Sequence, residues 1–310
     1  MTFELLPGVL GPESFAGDLI ALLNFARDGR HWVVPGPGLS LDGWIQALPE
    51  SLRAEVSFAL DLSLEQEARS PHFLRVQVDG PGARPPAISL QESLQRATAP
   101  LEVILENIES DLAFLEAVVP PDYRDQMEEM RSKRWIDFVH GGGSNLPAVL
   151  RHRLENSRAS QRHFVFFDSD ALTPNQPSKK ANDLVDQCLA EQPPVAHHFL
   201  QRREIENYLP LPALQNWALQ RNKRERRKKL ESFKALSPNQ KHHFDLKRGF
   251  RGKNDSALFA DLESRHRDPL AMGFGDKIWE WFQNIDFDWL DRDGQRAELM
   301  ELFSKLWRLR

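Results

Sequence analysis

Two carboxylates, Asp168 and Asp170, stand two positions apart where the apolar run FVFF ends. On an extended backbone this spacing turns both side chains to the same side. Two carboxylates held together repel unless a cation lies between them or one takes a proton. Oxygen-only donors select a hard ion such as Mg²⁺ or Mn²⁺, which keeps part of its water shell and meets substrate phosphate. Glu106 closes a second apolar run, LEVILEN, and is a third candidate as ligand or general base. The bland alternative is a set of solvated loop acids. An aspartate pair gains weight when it is placed where a buried strand emerges.

A third strand end carries glycine instead of acid. WIDFVH runs into Gly141, Gly142 and Gly143, then Ser144, Asn145 and Pro147. Glycines let backbone N–H groups approach an anion, and a helix start favours negative charge. Gly141, Gly142, Gly143 and Ser144 are therefore candidate phosphate-binding residues, against the alternative of a tight turn without a ligand.

These ends must be positioned by a sheet. LEVILEN, WIDFVH and RHFVFFDSDA alternate with the helical patterns SDLAFLEAVV, LPAVLRHRLEN and SKKANDLVDQCLAEQ, with Ser110 as the expected N-cap of the first. Strands alternating with helices predict βαβ units and a parallel sheet, whose ligands bind outside the carboxyl ends of the strands. The fold class expected is α/β. A central catalytic domain spans 98–212, after an α+β accessory or partner-binding domain at 1–97 and before a helical, basic region at 213–310. In 1–97 only FLRVQVD reads as a clear strand. No internal repeat is visible.

The order of Glu106, a glycine-rich turn and Asp168-Ser169-Asp170 resembles the TOPRIM domain of primases, topoisomerases and the OLD-type nucleases of phage defence. QRREIENYL at 201–209 is similar to a segment that follows the aspartate pair in the OLD-type group. The resemblance covers roughly residues 101–210. It implies a TOPRIM-like sheet and a nuclease dependent on Mg²⁺ or Mn²⁺, with Glu106, Asp168 and Asp170 catalytic. The ligand set it implies is Glu106, Asp111, Asp168, Asp170 and Glu206, with Glu204 as the alternative to Glu206. The chain departs from the family at its first motif. Asn107 stands where glycine is usual, and Asp111 lies five residues after Glu106 instead of four. The sequence has no GxxxxGK[ST] loop. OLD-type nucleases are often coupled to ATPases, so the resemblance implies a separate ATPase or sensor partner and an effector role in anti-phage defence. FFDSDALT is also similar to the first motif of haloacid-dehalogenase phosphatases, in which the first aspartate is a nucleophile. A non-catalytic TOPRIM-like partner subunit is the third reading.

Basic residues supply candidate nucleic-acid contacts: Lys179 and Lys180, Arg224 and Lys228 within RNKRERRKK, and Lys247 within KHHFDLKRGFRGKN. The net charge of −5 does not exclude such binding, because basic residues can gather on one face. A single cysteine, Cys188, rules out an internal disulfide framework and a multi-thiolate zinc site, and the cytoplasm is the expected compartment. The start has no signal-peptide pattern, and no stretch approaches the ~20 apolar residues of a membrane span.

Overall fold

A computed structural model describes residues 1–10, 16–69, 75–84, 86–156, 162–191, 194–220, 223–251 and 257–309. Arg221 and Asn222 of the first basic segment, and Gly252 to Asn254 of the second, lie outside the described residues. The chain forms two compact units. One comprises Met1–Leu101, Arg131–Asp137 and Ser304–Arg310, and the other Glu102–Met130 and Phe138–Phe303.

The first unit contains β1 (Thr2–Leu5), α1 (Ala16–Arg27), β2 (Trp32–Pro35), α2 (Asp42–Ala47), α3 (Glu50–Arg69), β3 (Arg75–Asp79), β4 (Ile88–Ser89) and α4 (Leu90–Thr98). Its sheet has the order β2-β1-β3-β4, and every pair is parallel. α1 buries Leu19, Leu22, Leu23 and Ala26, one stripe at helical spacing. The expectation of an α+β domain with one strand is corrected: this is a parallel α/β layer with four strands. The reason is burial on both faces. All four residues of β1 are buried, so the alternation that betrays a half-exposed strand is missing.

The second sheet is built from β5 (Leu101–Leu105), β6 (Ile136–His140), β7 (His163–Phe167) and β8 (Ala196–Phe199), in the order β6-β5-β7-β8. α5 (Ile108–Val118) and α6 (Pro121–Ser132) connect β5 to β6, α7 (Leu146–Asn156) connects β6 to β7, and α8 (Lys179–Ala190) leads to β8. Every residue of β7 is buried, as a central parallel strand requires. The α5 cap is Asn107, whose side chain accepts from the Glu109 N–H at 3.2 Å. Ser110, the expected cap, sits inside the first turn. β8 (AHHF) is too short and too polar to stand out in the sequence.

Beyond β8 follow α9 (Leu211–Ala218), α10 (Lys223–Lys234), α11 (Pro238–His243), α12 (Ser264–Arg267), α13 (Phe287–Arg292) and α14 (Arg296–Trp307). The basic stretch that reads as one long helix is broken after Ala218 into α9 and α10. Phe233, Phe244, Phe259 and Phe274 are buried and form edge or tilted ring contacts 5–6 Å apart. Among the described residues no helix is long and apolar enough to cross a membrane.

Both sheets share one plan: the chain leaves a central strand for one side, then returns on the other. Strand order therefore reverses between β1 and β3, and between β5 and β7. Such reversals open crevices at the carboxyl ends of strands. In the first sheet, Gly8 and Gly80 fill that position. A Cβ on Gly80 would strike the Gly8 carbonyl, and one on Gly8 would strike the Asp79 side chain. In the second sheet the same position holds acids.

Candidate functional site

β5 and β7 deliver their acids in the same way. Apolar side chains hold each strand in the sheet up to Leu105 and Phe167, and the next residue leaves the layer as Glu106 or Asp168. The Asp168 carboxyl is fixed by the Ile205 N–H, which donates to Oδ1 at 3.0 Å. Ser169 Oγ donates to the Arg202 carbonyl at 2.7 Å, and the Asp170 N–H donates to the Arg203 carbonyl at 2.9 Å. The loop after β7 and the segment after β8 are thus laced together.

Asp170 has φ 49°, in the left-handed region. The backbone is not extended through the aspartate pair, which corrects the expectation that spacing alone turns both carboxylates to one side. Asp170 acts on Glu106, whereas Asp168 is grouped with Asp111, Glu206 and Glu204. The acids associate across neighbouring strands more than along the motif.

Asp111 faces this group from the first turn of α5. Its Oδ2 accepts from the Asn107 N–H at 2.8 Å and its Oδ1 from Ser110 Oγ at 3.1 Å. Burial, together with the charges of Glu106 and Glu206, raises its pKa to about 7 despite these hydrogen bonds. The extra residue between Glu106 and Asp111 does not remove it from the cluster.

The segment QRREIENYL is a clamp that carries two acids. Asn207 Oδ1 accepts from the Glu204 N–H at 3.0 Å, and its Nδ2 donates to the carbonyls of Lys241 and Phe244 at 2.8 and 2.9 Å. The Tyr208 hydroxyl donates to Glu298 Oε1 at 2.6 Å and accepts from the Arg202 N–H at 3.2 Å. Glu298 Oε1 also accepts from the Gln201 N–H at 2.7 Å. Arg203 pairs with Asp245 at 3.3 Å. These bonds present Glu204 and Glu206, both buried, to Asp168. Burial, with Glu206 and Asp245 adding to it, raises the Glu204 pKa to about 7 against the opposing pull of Lys247.

Two ammonium groups lie among the acids. Lys247 Nζ is 3.3 Å from both Glu204 Oε2 and Glu206 Oε2. Burial opposes its charge, but Glu206, Glu204 and Asp168 outweigh burial and raise its pKa. Lys180, from the first turn of α8, bonds Glu106 Oε1. Burial raises the Glu106 pKa and Lys180 offsets part of that rise. Glu106 Oε2 is closed off from water without a hydrogen bond, and the buried Glu204 Oε2 and Glu206 Oε2 have only the Lys247 ammonium, 3.3 Å away. Among the described residues no three acids, histidines or cysteines converge tightly enough to hold an ion as they stand. The acids share a strong mutual field nonetheless, and the two lysines now occupy it.

The remaining candidates fall elsewhere. Lys179 forms an exposed pair with Asp183 on α8, 2.6 Å apart, so it is not part of the cluster. The Gly141 N–H donates to the Leu105 carbonyl at 2.6 Å and the Gly143 N–H to the Glu106 carbonyl at 2.9 Å. These two donors tie the glycine run to β5 and have nothing left for a phosphate. A Cβ at Gly141 would strike the Leu105 carbonyl, and Gly142 and Gly143 have φ 79° and 61°, so the run is explained by a tight turn; Ser144 lies exposed in it. On α10, Arg224, Arg227 and Lys228 are exposed, while Arg226 covers Trp217 and Lys229 reaches the Gly273 carbonyl. Lys247 was readable only as one cation in a basic segment, because its partners lie about 40 positions earlier in the chain.

Comparison with family models, curated proteins and solved structures found no match for this chain.

The raised pKa values carry a consequence for stability. Asp111 and Glu204 hold protons in the folded state well above their ordinary values of 3.8 and 4.5, each up to about 7. Their contribution is complete below the ordinary values and is lost as pH rises through about 7. The melting temperature in EDTA is therefore expected to fall between pH 5.5 and pH 8, by on the order of 5 °C. Divalent cation should raise it more at pH 8 than at pH 6. A melting temperature that climbs across this window in EDTA would count against the cluster.

Proposed function

We propose that the second unit is a TOPRIM-like nuclease dependent on Mg²⁺ or Mn²⁺, hydrolysing phosphodiester bonds of DNA or RNA as the effector of an anti-phage defence system. The observation that carries this reading is the meeting of six acids at the strand-order reversal of the second sheet. They come from three neighbouring strand ends; the buried Glu106 Oε2 has no hydrogen bond, and Glu204 Oε2 and Glu206 Oε2 share the single Lys247 ammonium. An all-oxygen donor set with unsatisfied carboxylate atoms fits a hard divalent cation. Glu106, Asp168 and Glu206 are the residues to hold it, with Asp111, Asp170 and Glu204 around them. Such an ion, when bound, neutralises charge on the phosphate and lowers the pKa of a water ligand.

The chain's own groups supply the rest. Asp168 is oriented by the Ile205 N–H, so its other oxygen is presented in a fixed direction. Lys180 and Lys247 are donors for the non-bridging oxygens of a phosphate. Arg224, Arg227 and Lys228 on the outer face of α10 offer a charged track for the strand. Lacking a phosphate-binding ATPase loop, the chain would draw any ATP-driven control from a separate ATPase or sensor subunit, which copurification with neighbouring gene products would reveal.

Purified protein incubated with plasmid, single-stranded DNA and tRNA is expected to cleave one of them with Mg²⁺ or Mn²⁺ and none with EDTA. Glu106→Gln should remove that cleavage. Activity that persists in EDTA or in Glu106→Gln refutes the assigned centre. Phosphomonoester hydrolysis in its place supports the phosphatase reading, and a lack of cleavage in the presence of the copurified partner supports the non-catalytic one.

A further inference from the structure

A polar cavity of about 350 Å³ adjoins the acidic centre, lined by Asn175, Gln201, Arg202, Asn239, His242 and Asp293 among others. It shares a strip of backbone with the centre. Arg202 lies two residues before Glu204, and Asn175 five residues after Asp170. The Arg203 N–H donates to the His242 carbonyl at 3.0 Å, while the Arg203 carbonyl accepts from Asp170. The size is at the lower end of small-ligand cavities, about 300–1,000 Å³, which is room for one nucleoside and some water.

The lining selects the ligand. Three of its charged groups are held in place by neighbours. Arg202 Nη1 donates to the Asn207 carbonyl at 2.7 Å, Asp293 Oδ2 accepts from Gln295 Nε2 at 3.0 Å, and Glu298 accepts from Tyr208 and Gln201. Its uncharged polar groups are the side-chain amides of Asn175, Gln201 and Asn239, and the imidazole of His242. Burial and the neighbouring Arg202 lower the His242 pKa to about 4, so the ring is uncharged at neutral pH. A phosphate would meet the carboxylates of Asp293 and Glu298. A flat, neutral group rich in hydrogen-bonding atoms suits the cavity, and an unpaired base is read in this way by enzymes that act on nucleic acids.

We propose that this cavity receives one unpaired nucleobase of the substrate strand and favours bases with an exocyclic amine over uracil and thymine. The preference follows from the carboxylate oxygens at the wall, which can only accept. An amine donates to them, whereas the two carbonyls of uracil or thymine face them unfavourably. The amides and the imidazole can turn to serve either edge. This assignment rests on the nuclease reading for the position of the strand.

The test is equilibrium binding of short fluorescein-labelled oligo(A), oligo(C) and oligo(U) by anisotropy, with Ca²⁺ in place of Mg²⁺. Wild-type protein is expected to bind oligo(A) or oligo(C) about tenfold more tightly than oligo(U). The variant Asp293→Asn, at a half-exposed carboxylate of the wall, turns an acceptor oxygen into a donor and should lose the preference, keep its affinity for oligo(U) and melt as the wild type does. Equal binding of all three oligonucleotides, no binding of any, or a preference that survives Asp293→Asn overturns the proposal. Base-dependent binding without metal-dependent cleavage would sink the nuclease reading alone. Cleavage without base preference would sink this inference alone.

Discussion

Asp168→Asn is expected to reduce metal-dependent cleavage roughly 10³-fold while the protein gains stability in EDTA. The two effects share one cause. The Asp168 carboxyl is pushed well above its ordinary pKa, by burial first and then by Asp111, Glu206 and Glu204, against the pull of Lys247. A charge there is costly without a cation. Asparagine has the same shape and keeps an oxygen for the Ile205 N–H, so the loop after β7 retains its anchor. The variant removes the repulsion along with the ligand. Thermal melting in EDTA should therefore rise, and the stabilisation produced by Mn²⁺ should shrink. Cleavage near the wild-type rate, or an unchanged response to Mn²⁺, would refute the placing of Asp168 at the centre. A plain loss of folding would appear as a lower melting temperature, the opposite of the result expected.

Lys247→Met should have the largest effect on stability. Methionine replaces much of the apolar stem but removes the ammonium 3.3 Å from Glu204 and Glu206. Breaking a buried ion pair from one side costs on the order of 3–5 kcal/mol, because the partner charge is left uncompensated. At pH 8 in EDTA the melting temperature should fall by about 10 °C. The loss should be smaller at pH 6, where Glu204 and Asp111, with pKa values of about 7, take up protons. Millimolar Mg²⁺ or Mn²⁺ should recover much of it, since an ion that binds only the folded state stabilises by mass action. Calorimetry at the two pH values, with and without metal, measures all of this. An unchanged melting temperature at pH 8 in EDTA would show that Lys247 does not balance these acids.

The candidate site was partly legible in the chain because some of its logic is local. A strand buried on both faces must be apolar along its length, so the first polar residue after LEVIL or HFVFF is where the chain leaves the sheet. Glu106 and Asp168 are marked in this way. Helix caps are local too, although Asn107 takes the place expected for Ser110 because its carboxamide reaches the Glu109 N–H. The strands of the first sheet were mostly illegible. Apart from β3, they run two to four residues and show too little alternation to be told from short helical turns. The glycine run was legible as a turn, but its purpose was not. Only pairing with β5 shows that the N–H groups of Gly141 and Gly143 are consumed by Leu105 and Glu106.

By itself, the sequence determined where acid could stand at the end of a buried strand, since that depends on neighbours one or two residues away. It also excluded an internal disulfide framework and a multi-thiolate zinc site, through a single cysteine. Tertiary structure decided which charges meet. The order β6-β5-β7-β8 brings the ends of β5 and β7 side by side, folds Glu204 and Glu206 against them, and draws Lys180 and Lys247 in from distant segments. It also separated Asp170 from Asp168 by a left-handed turn that spacing could not reveal. The physical reason is range: propensity and burial pattern act over a few residues, whereas the field at a carboxylate sums every charge nearby in space, whatever its place in the chain.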